Sequence, residues 1–450
     1  MHFQIHNLTS ESIACIHDQQ RGEKPLVLPA QTRRETDSAL FGRSKLLLAP
    51  YNESGDLATM NWGIDPETFV LHMSMALSAS WQPLRVAENC PWRVYCSKVS
   101  SKLKRILIFP RRDLAKFLAE MPDEARLSSL TLPGTHDSMA FYGWPISQCQ
   151  SLSTSLKVQL ESGIRVIDVR LAIVDGRLIS YHGIYPQKTP FQDILTTIHG
   201  FFASSPKETI VMSIKQEDYA HTPAPEFSAL VHKEIFDGPG GKEMWFFENR
   251  VPKLGEVRGK VVLLSRFGGN GDGWENGLEG LGIHPTTWPD SDKSGFTWNC
   301  KDTLVRTHDW YNIPSFLAIP EKVTLSTQVL LPPANNPPMP VLNVTYLSAA
   351  SFPLAFPPTV ALGFGWPKWG LGVEGVNSRV GKWLLDQLGG QVVQVDTLQE
   401  KGEPQVDGQL DEPRIRGWVF MDYYSEPEHA VVPLLVECNY RGRREGEEGW

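Results

Sequence analysis

Residues 117–138 read FLAEMPDEARLSSLTLPGTHDS. The run LSSLTLP is short, apolar and β-prone, and after Gly134 it gives way to Thr135, His136, Asp137 and Ser138. A buried strand that ends in polar residues delivers them to a rim. Working outward, further strand-like runs follow: IRVIDVRL (164–171), RLISYH (177–182), TIVMSI (209–214), VVLLSRF (261–267), TLVRTHDWY (303–311), VLNVTYL (341–347) and RGWVFMDYY (416–424). Between some of them Ile194, Leu195, Ile198, Phe201 and Phe202 recur at helical spacing, as do Val376, Val380, Trp383 and Leu384. This alternation over residues 113–450 predicts an α/β fold, a distorted TIM-type (β/α) barrel. In such a barrel the C-terminal strand ends meet at one mouth.

Residues 1–112 have another texture, of short apolar or alternating runs divided by turn residues: SIACI, PLVLP, KLLLAP, TFVLHMSMAL, WRVYCS and RILIFP. They predict a smaller β-rich, sandwich-like accessory domain with no recognisable catalytic set and no partner that the sequence identifies. Near its end Lys98, Lys102, Lys104, Arg105, Arg111 and Arg112 cluster. Such a run either meets an anionic membrane surface or, more commonly, is a solvated strand face.

Composition narrows the function classes. The chain has 450 residues, with 43 Lys plus Arg against 51 Asp plus Glu and a net charge of −8. There is no basic excess to bind nucleic acid. The first twenty residues carry neither a basic head nor an apolar core of a leader, so no secretory signal is expected. The six cysteines, Cys15, Cys90, Cys96, Cys149, Cys300 and Cys438, form no C-x-x-C pair, so neither a disulfide framework nor a zinc site is expected. A reducing, cytoplasmic setting follows. The apolar stretch Val341–Trp366 is broken by Pro353, Pro357 and Pro358 and predicts no transmembrane segment. The Gly-rich run 268–282 fits neither a dinucleotide fingerprint nor a phosphate loop and reads as a long loop; metalloprotease, α/β-hydrolase and EF-hand patterns are absent.

The strand ends hold an unusual set. Asp168 and Arg170 lie in the second run, His182 ends the third, Lys215 and Glu217 follow TIVMSI, Arg266 ends VVLLSR, Asp309 and Tyr311 follow TLVRTH, and Asp422 and Tyr423 end GWVFM. Singly, each reads as a surface ion pair or a satisfied polar residue. Together, two histidines, several carboxylates and several cations at one mouth describe an acid/base site for an anionic substrate.

In order and spacing, GTHDS (134–138), SGIRVIDVRL (162–171), SYHG (180–183), KETIVMSIKQE (207–217), RGKVVLLSRF (258–267) and RGWVFMDYYSE (416–426) resemble the bacterial-type phosphatidylinositol-specific phospholipase C family. Residues 1–112 lie outside the resemblance. It implies cleavage of the phosphodiester of phosphatidylinositol by its own inositol 2-hydroxyl, giving diacylglycerol and inositol 1,2-cyclic phosphate. By the resemblance His136 is the general base with Asp422 on its other ring nitrogen. His182 is the general acid with Asp137 as partner. Arg170, oriented by Asp168, meets the phosphate oxygens. Lys215, Arg266 and Asp309 bind inositol hydroxyls, and Tyr311 stacks on the ring.

The resemblance also implies no cofactor and no metal, because a guanidinium at Arg170 stands where a calcium-dependent relative needs an acid. The implied partner is a phosphatidylinositol-type lipid at a membrane surface, with the chain peripheral to it. Phe141, Tyr142 and Trp144, and Phe352, Phe356, Phe364 and Trp366, are placed for shallow insertion or else for the core. Two rival readings are a lipid-binding barrel without turnover and a metal-dependent glycerophosphodiesterase on a similar barrel.

Overall fold

The first barrel strand, β1 (Thr131–Thr135), is buried at every residue. It lies in the middle of a parallel sheet, where both faces of a strand are covered and apolar runs need not alternate. In this computed structural model the described residues are 2–17, 25–36, 45–51, 67–73, 79–268, 281–335, 337–367, 370–390, 414–443 and 446. Most of the Gly-rich run, residues 269–280, lies outside them, as does the end of TFVLHMSMAL. The chain divides into two compact units: residues 1–112 with 365–372 and 381–390, and residues 113–364, 373–380 and 414–446.

In the second unit the parallel strands are β1, β2 (Val166–Val174), β3 (Ile210–Gln216), β4 (Val261–Arg266), β5 (Thr303–His308), β6 (Val341–Tyr346) and β7 (Gly417–Met421). Their spatial order is β4-β3-β2-β1-β7-β6-β5, with the two-residue strand Trp245–Phe246 added parallel beside β4 and Phe296–Cys300 added antiparallel beside β5. The result is the expected barrel type, as a curled sheet that does not close among the described residues. One strand-like run has a different place. RLISYH forms Arg177–His182, which turns back antiparallel on β2 and pairs with Tyr185–Pro190, so His182 reaches the mouth on a hairpin rather than on a barrel strand. The two helical periodicities are helices, Phe191–Ser204 and Val376–Leu388.

Close packing of β1 on both neighbours sets a constraint on one residue. A Cβ on Gly134 would lie 2.7 Å from Val166 O and 2.9 Å from Val419 O, so β1 can approach β2 and β7 only with glycine there. At the opposite strand ends, Arg165 and Glu208 are fully buried and paired at 2.8 Å. The Arg165 guanidinium also donates to the carbonyls of Leu114, Ala115, Leu160 and Ile164 and packs against the rings of Phe117 and Phe201. Glu208 accepts from the N–H groups of Leu118 and Ala119. Burial still outweighs the pairing, raising the Glu208 carboxyl and lowering the Arg165 guanidinium, and either half left without the other would cost more.

The first unit is a two-sheet sandwich. Five strands run in the order Thr32–Thr36, His2–Asn7, Leu103–Pro110, Trp92–Lys98, Trp81–Leu84, and four in the order Leu26–Leu28, Ile13–His17, Lys45–Pro50, Phe69–His72. Phe3, Ile5, Ile106 and Ile108 of one sheet share a core with Ile13, Leu28, Leu46 and Leu48 of the other. Two strands, HFQIHN and TRRET, are too polar to be read as strands from hydrophobicity. Within the basic cluster Arg105 departs from the solvated-face reading: it is 3% exposed and donates to the Gln4 side chain.

Glu208→Ala should therefore lower the stability of the barrel unit by ~3–5 kcal/mol, the cost of an unpaired buried charge, as read by denaturant unfolding. A change under about 1 kcal/mol would show that Arg165 is satisfied by the carbonyls alone.

Candidate active site

Period-two alternation decides which side chains enter the mouth. On β2 it sends Asp168 and Arg170 the same way. The parallel register sets Arg170 opposite Lys215 of β3, and Lys215 opposite Arg266 of β4. Three cations thus stand abreast, and carboxylates are threaded among them. Arg170 Nε lies 3.0 Å from Asp168 Oδ2 and 3.6 Å from Asp137 Oδ2, and its Nη1 lies 3.5 Å from Glu217 Oε1. Lys215 Nζ donates to Glu217 Oε1 at 2.8 Å. Arg266 lies 3.7 Å from Asp168 Oδ1 and 3.9 Å from Asp309 Oδ2. The barrel-mouth ion pairs weighed against a binding role for Lys215 and Arg266 are therefore real contacts, and both residues still line the cavity.

Asp168 is completely buried and receives Asp137 N–H at 3.2 Å and Ser213 Oγ at 3.0 Å besides the two arginines. Burial alone would raise its carboxyl, but Arg170 and Arg266 outweigh it and hold the group well below the usual carboxylate range. Burial, reinforced by Arg170, lowers Lys215. Glu217 is lowered against its own burial by Arg170 and Lys215.

After β1 the backbone at Asp137 turns left-handed, φ +44°, a conformation Asp tolerates better than most residues. The turn separates two imidazole–carboxylate pairs. His136 Nδ1 lies 2.8 Å from Asp422 Oδ1. Its Nε2 receives Arg170 Nη2 at 2.6 Å. A nitrogen that accepts from a guanidinium carries no proton, so the neutral ring bears its hydrogen on Nδ1 and gives it to Asp422. Burial and the Arg170 charge push His136 well below the ordinary imidazole range. Gln150 ties the two strand ends together through the carbonyls of His136 and Met421, and Asn377 holds the carbonyls of Asp422 and Tyr423.

The second pair is His182 and Asp137. His182 Nδ1 lies 3.3 Å from Asp137 Oδ2 and 2.9 Å from the carbonyl of Ser147. The two imidazole rings stand perpendicular with centroids 6.2 Å apart. Burial pushes Asp137 up to about 6, with His182 and Arg170 opposing.

These groups border a cavity of about 670 Å³, within the size range of small-molecule sites. Its far wall holds Asp309 and Tyr311 and the loop His284–Asp290. Every candidate site residue read from the sequence is thus in or beside one mouth. Reading the sequence missed Trp288, Tyr346, Asp290 and Cys149. The Trp288 ring covers Arg266 at 3.9 Å while its N–H donates to Asp309 Oδ2 at 2.9 Å. Arg266 Nη1 also donates to the Tyr346 hydroxyl oxygen at 2.9 Å, and the Tyr346 ring lies 5.6 Å from the guanidinium. Tyr311 donates to Asp290. Tyr346 could have been found as the polar end of β6; Trp288 and Asp290 sit on a loop without a motif.

Residues 143–267 match the family described as phosphatidylinositol-specific phospholipase C, X domain. That span holds Arg170, His182, Lys215 and Arg266 but not His136, Asp309 or Asp422. A 1-phosphatidylinositol phosphodiesterase of Listeria monocytogenes is 35% identical over 164 residues, which is 33% of this chain and 48% of that protein. One of Staphylococcus aureus is 27% identical over 163 residues, 34% of this chain and 51% of that protein. The chain thus spans about half the length of the curated relatives it matches. The solved phosphatidylinositol-specific phospholipase C of Listeria monocytogenes aligns with TM-score 0.50 at 24% identity, covering 73% of this chain and 99% of that one. A Staphylococcus aureus counterpart gives 0.53 at 19%, over 73% and 97%. Likeness at these identities concerns the fold, which the open barrel shares. Residues 143–267 are thus similar to the X domain of phosphatidylinositol-specific phospholipase C, and the barrel around them shares the fold of the solved bacterial enzymes.

Proposed function

We propose that the barrel cleaves the phosphodiester of phosphatidylinositol, or of a related inositol lipid, to diacylglycerol and inositol 1,2-cyclic phosphate without a metal ion. The observation that carries this reading is the pair of imidazoles 6.2 Å apart, each backed by its own carboxylate, with a guanidinium bonded to one of them. A phosphate arriving at the mouth takes the donors of Arg170, and His136 Nε2 loses its bond to Nη2. That nitrogen then accepts the proton of the inositol 2-hydroxyl while Nδ1–H stays on Asp422. The 2-oxygen bonds to phosphorus, the bond from phosphorus to the glycerol oxygen breaks, and His182 supplies the proton to that oxygen. Asp137 stabilises the His182 imidazolium beforehand.

Arg170 gives a planar fork to the phosphate oxygens as their charge grows, and Asp168 fixes its plane. It also stands between Asp137 and Asp168, where a divalent ion at the phosphate would need its oxygen ligands. Lys215, Arg266 and Asp309 offer donors and acceptors to the inositol hydroxyls, and Tyr311 offers a ring face. The stacking of Trp288 on Arg266 and its bond to Asp309 make these two groups rigid before the ring arrives.

His136→Ala and His182→Ala should each lower turnover by at least ~10²-fold, and Asp422→Asn should cost less than loss of His136. Arg170→Ala should cost ~2.7–4 kcal/mol of transition-state stabilisation, the range for loss of one oxyanion donor. Because His136 is held below the ordinary imidazole value of about 6.5, the acidic limb of kcat/KM should fall below that pH. Full activity in either histidine variant would remove the assignment.

The substrate lies in a bilayer, and the cavity is flanked in sequence by exposed apolar side chains. Trp144 is 71% exposed, Phe352 77%, and Ile184, next to cavity-lining Gly183, 85%. In the same unit Tyr142, Leu354 and Phe364 are exposed as well, whereas Phe141 and Phe356 are half-buried; Trp366, also exposed, belongs to the first unit. Among the described residues no helix is long and apolar enough to cross a membrane. Shallow insertion of this rim supports peripheral attachment to a membrane surface. Trp144→Ala and Phe352→Ala should weaken binding to phosphatidylinositol vesicles while sparing hydrolysis of a soluble inositol phosphodiester. Equal loss on both substrates would mean that these rings support the fold.

A further inference from the structure

We propose that Asp137, Cys149 and His182 form an inhibitory site for a soft divalent cation such as zinc. The Cys149 thiol is buried between the two imidazole–carboxylate pairs. Its sulfur lies 3.6 Å from His182 Nδ1, and that nitrogen lies 3.3 Å from Asp137 Oδ2. Zinc bonds of about 2.3 Å to sulfur, 2.0–2.1 Å to nitrogen and 2.0–2.2 Å to oxygen, at tetrahedral angles, put nitrogen and sulfur about 3.6 Å apart and nitrogen and oxygen about 3.4 Å apart. The two edges at His182 Nδ1 already match these values, and all three donors lie within 4.8 Å of one another.

A second observation points the same way. Asp137 is 1% exposed, and its Oδ2 makes no hydrogen bond, only the ion-pair approaches of His182 Nδ1 at 3.3 Å and Arg170 Nε at 3.6 Å. A buried carboxylate oxygen with spare acceptor capacity, beside a thiol and an imidazole nitrogen, supplies the third donor of a ligand set. The alternative set, His136, Cys149 and Asp422, fits less well. His136 Nδ1 and Asp422 Oδ1 are 2.8 Å apart, a hydrogen bond and too short for a tetrahedral edge, and Nε2 is taken by Arg170.

Burial holds the Cys149 thiol protonated, so binding must release its proton to solvent. The thiolate and the Asp137 carboxylate together balance the ion's two charges, which lets it sit beside Arg170. The imidazole would ligate through Nδ1 and keep its proton on Nε2, and the nearby Ser147 carbonyl would lose a donor. A ring ligated at Nδ1 cannot become an imidazolium. It then has no acid proton for the leaving glycerol oxygen. The site stands on this geometry alone, whereas the inhibition rests on the general-acid role proposed for His182.

The metal-free chain is titrated with cobalt(II) while thiolate-to-cobalt charge-transfer absorption is followed, and zinc is then used to displace it. In parallel, turnover of a soluble inositol phosphodiester is measured against zinc for the wild type, Cys149→Ala and Cys149→Ser, with circular dichroism checking each fold. Expected are one equivalent of cobalt with charge-transfer absorption in the wild type, its loss in both variants, preserved metal-free turnover, and zinc sensitivity at least ~10-fold weaker without the thiol. Absence of charge-transfer absorption at saturating cobalt, or equal zinc sensitivity in all three proteins, would overturn the site. A chain that turns over no inositol phosphodiester would count against the function reading, and the absorption would still decide the site.

Discussion

The carboxylate of Asp168 is the charge on which the mouth depends. Parallel pairing puts Arg170, Lys215 and Arg266 in register on neighbouring strands. Two unit charges at the strand spacing of about 4.8 Å repel by about 3–4 kcal/mol at an effective dielectric near 20. Asp168 lies beneath two of the three cations with both oxygens engaged, and Glu217 serves Lys215 and Arg170. The same carboxylate receives the N–H of Asp137, so the network that steadies the arginines also shapes the turn separating His136 from Asp137. Charge balance and catalytic geometry are one arrangement here, and a change at Asp168 would disturb both.

The sheet divides its tasks by end. Where β2 and β3 begin, Arg165 and Glu208 form a closed, fully buried pair that does not line the mouth cavity. Where they finish, Arg170, Lys215 and Glu217 border the open cavity. The lower pair has carbonyls for every spare donor, whereas the upper cations face carboxylates and a cavity. This contrast, rather than the presence of charges, distinguishes a structural pair from a binding set. The arrangement of the two histidines follows the same logic. His136 has one nitrogen held by Asp422 and the other by Arg170, the group for which an arriving anion would compete.

Much of this was legible in the sequence, for identifiable reasons. Strands buried on both faces leave continuous apolar runs, so β1 to β7 could be picked out, and their polar C-terminal ends named the mouth. RLISYH could not be told from a barrel strand, because a hairpin strand packed on β2 has the same apolar content. The short parallel strand Trp245–Phe246 gives no window to read. In the sandwich, HFQIHN carries the polar residues Gln4, His6 and Asn7, which the fold buries, TRRET carries half-buried and exposed polar side chains, and Arg105 looked solvated because nothing local shows that Gln4 bonds it. Cys149 was passed over because cysteine spacing reports only ligands close along the chain. Its neighbours Asp137 and His182 come from a turn and a hairpin, and only the fold brings them together. Trp288 and Asp290 belong to a loop whose value lies in what it covers.

The central claim is that two imidazoles and a guanidinium, without a metal ion, turn the inositol hydroxyl on its own phosphorus. The direct measurement is phosphorus NMR of the purified chain with phosphatidylinositol vesicles in excess chelator. The account predicts that the lipid phosphodiester resonance is replaced by that of inositol 1,2-cyclic phosphate, at a rate unchanged by added calcium. No conversion in chelator with recovery on adding calcium, or direct appearance of an acyclic phosphate with no cyclic intermediate, would contradict it.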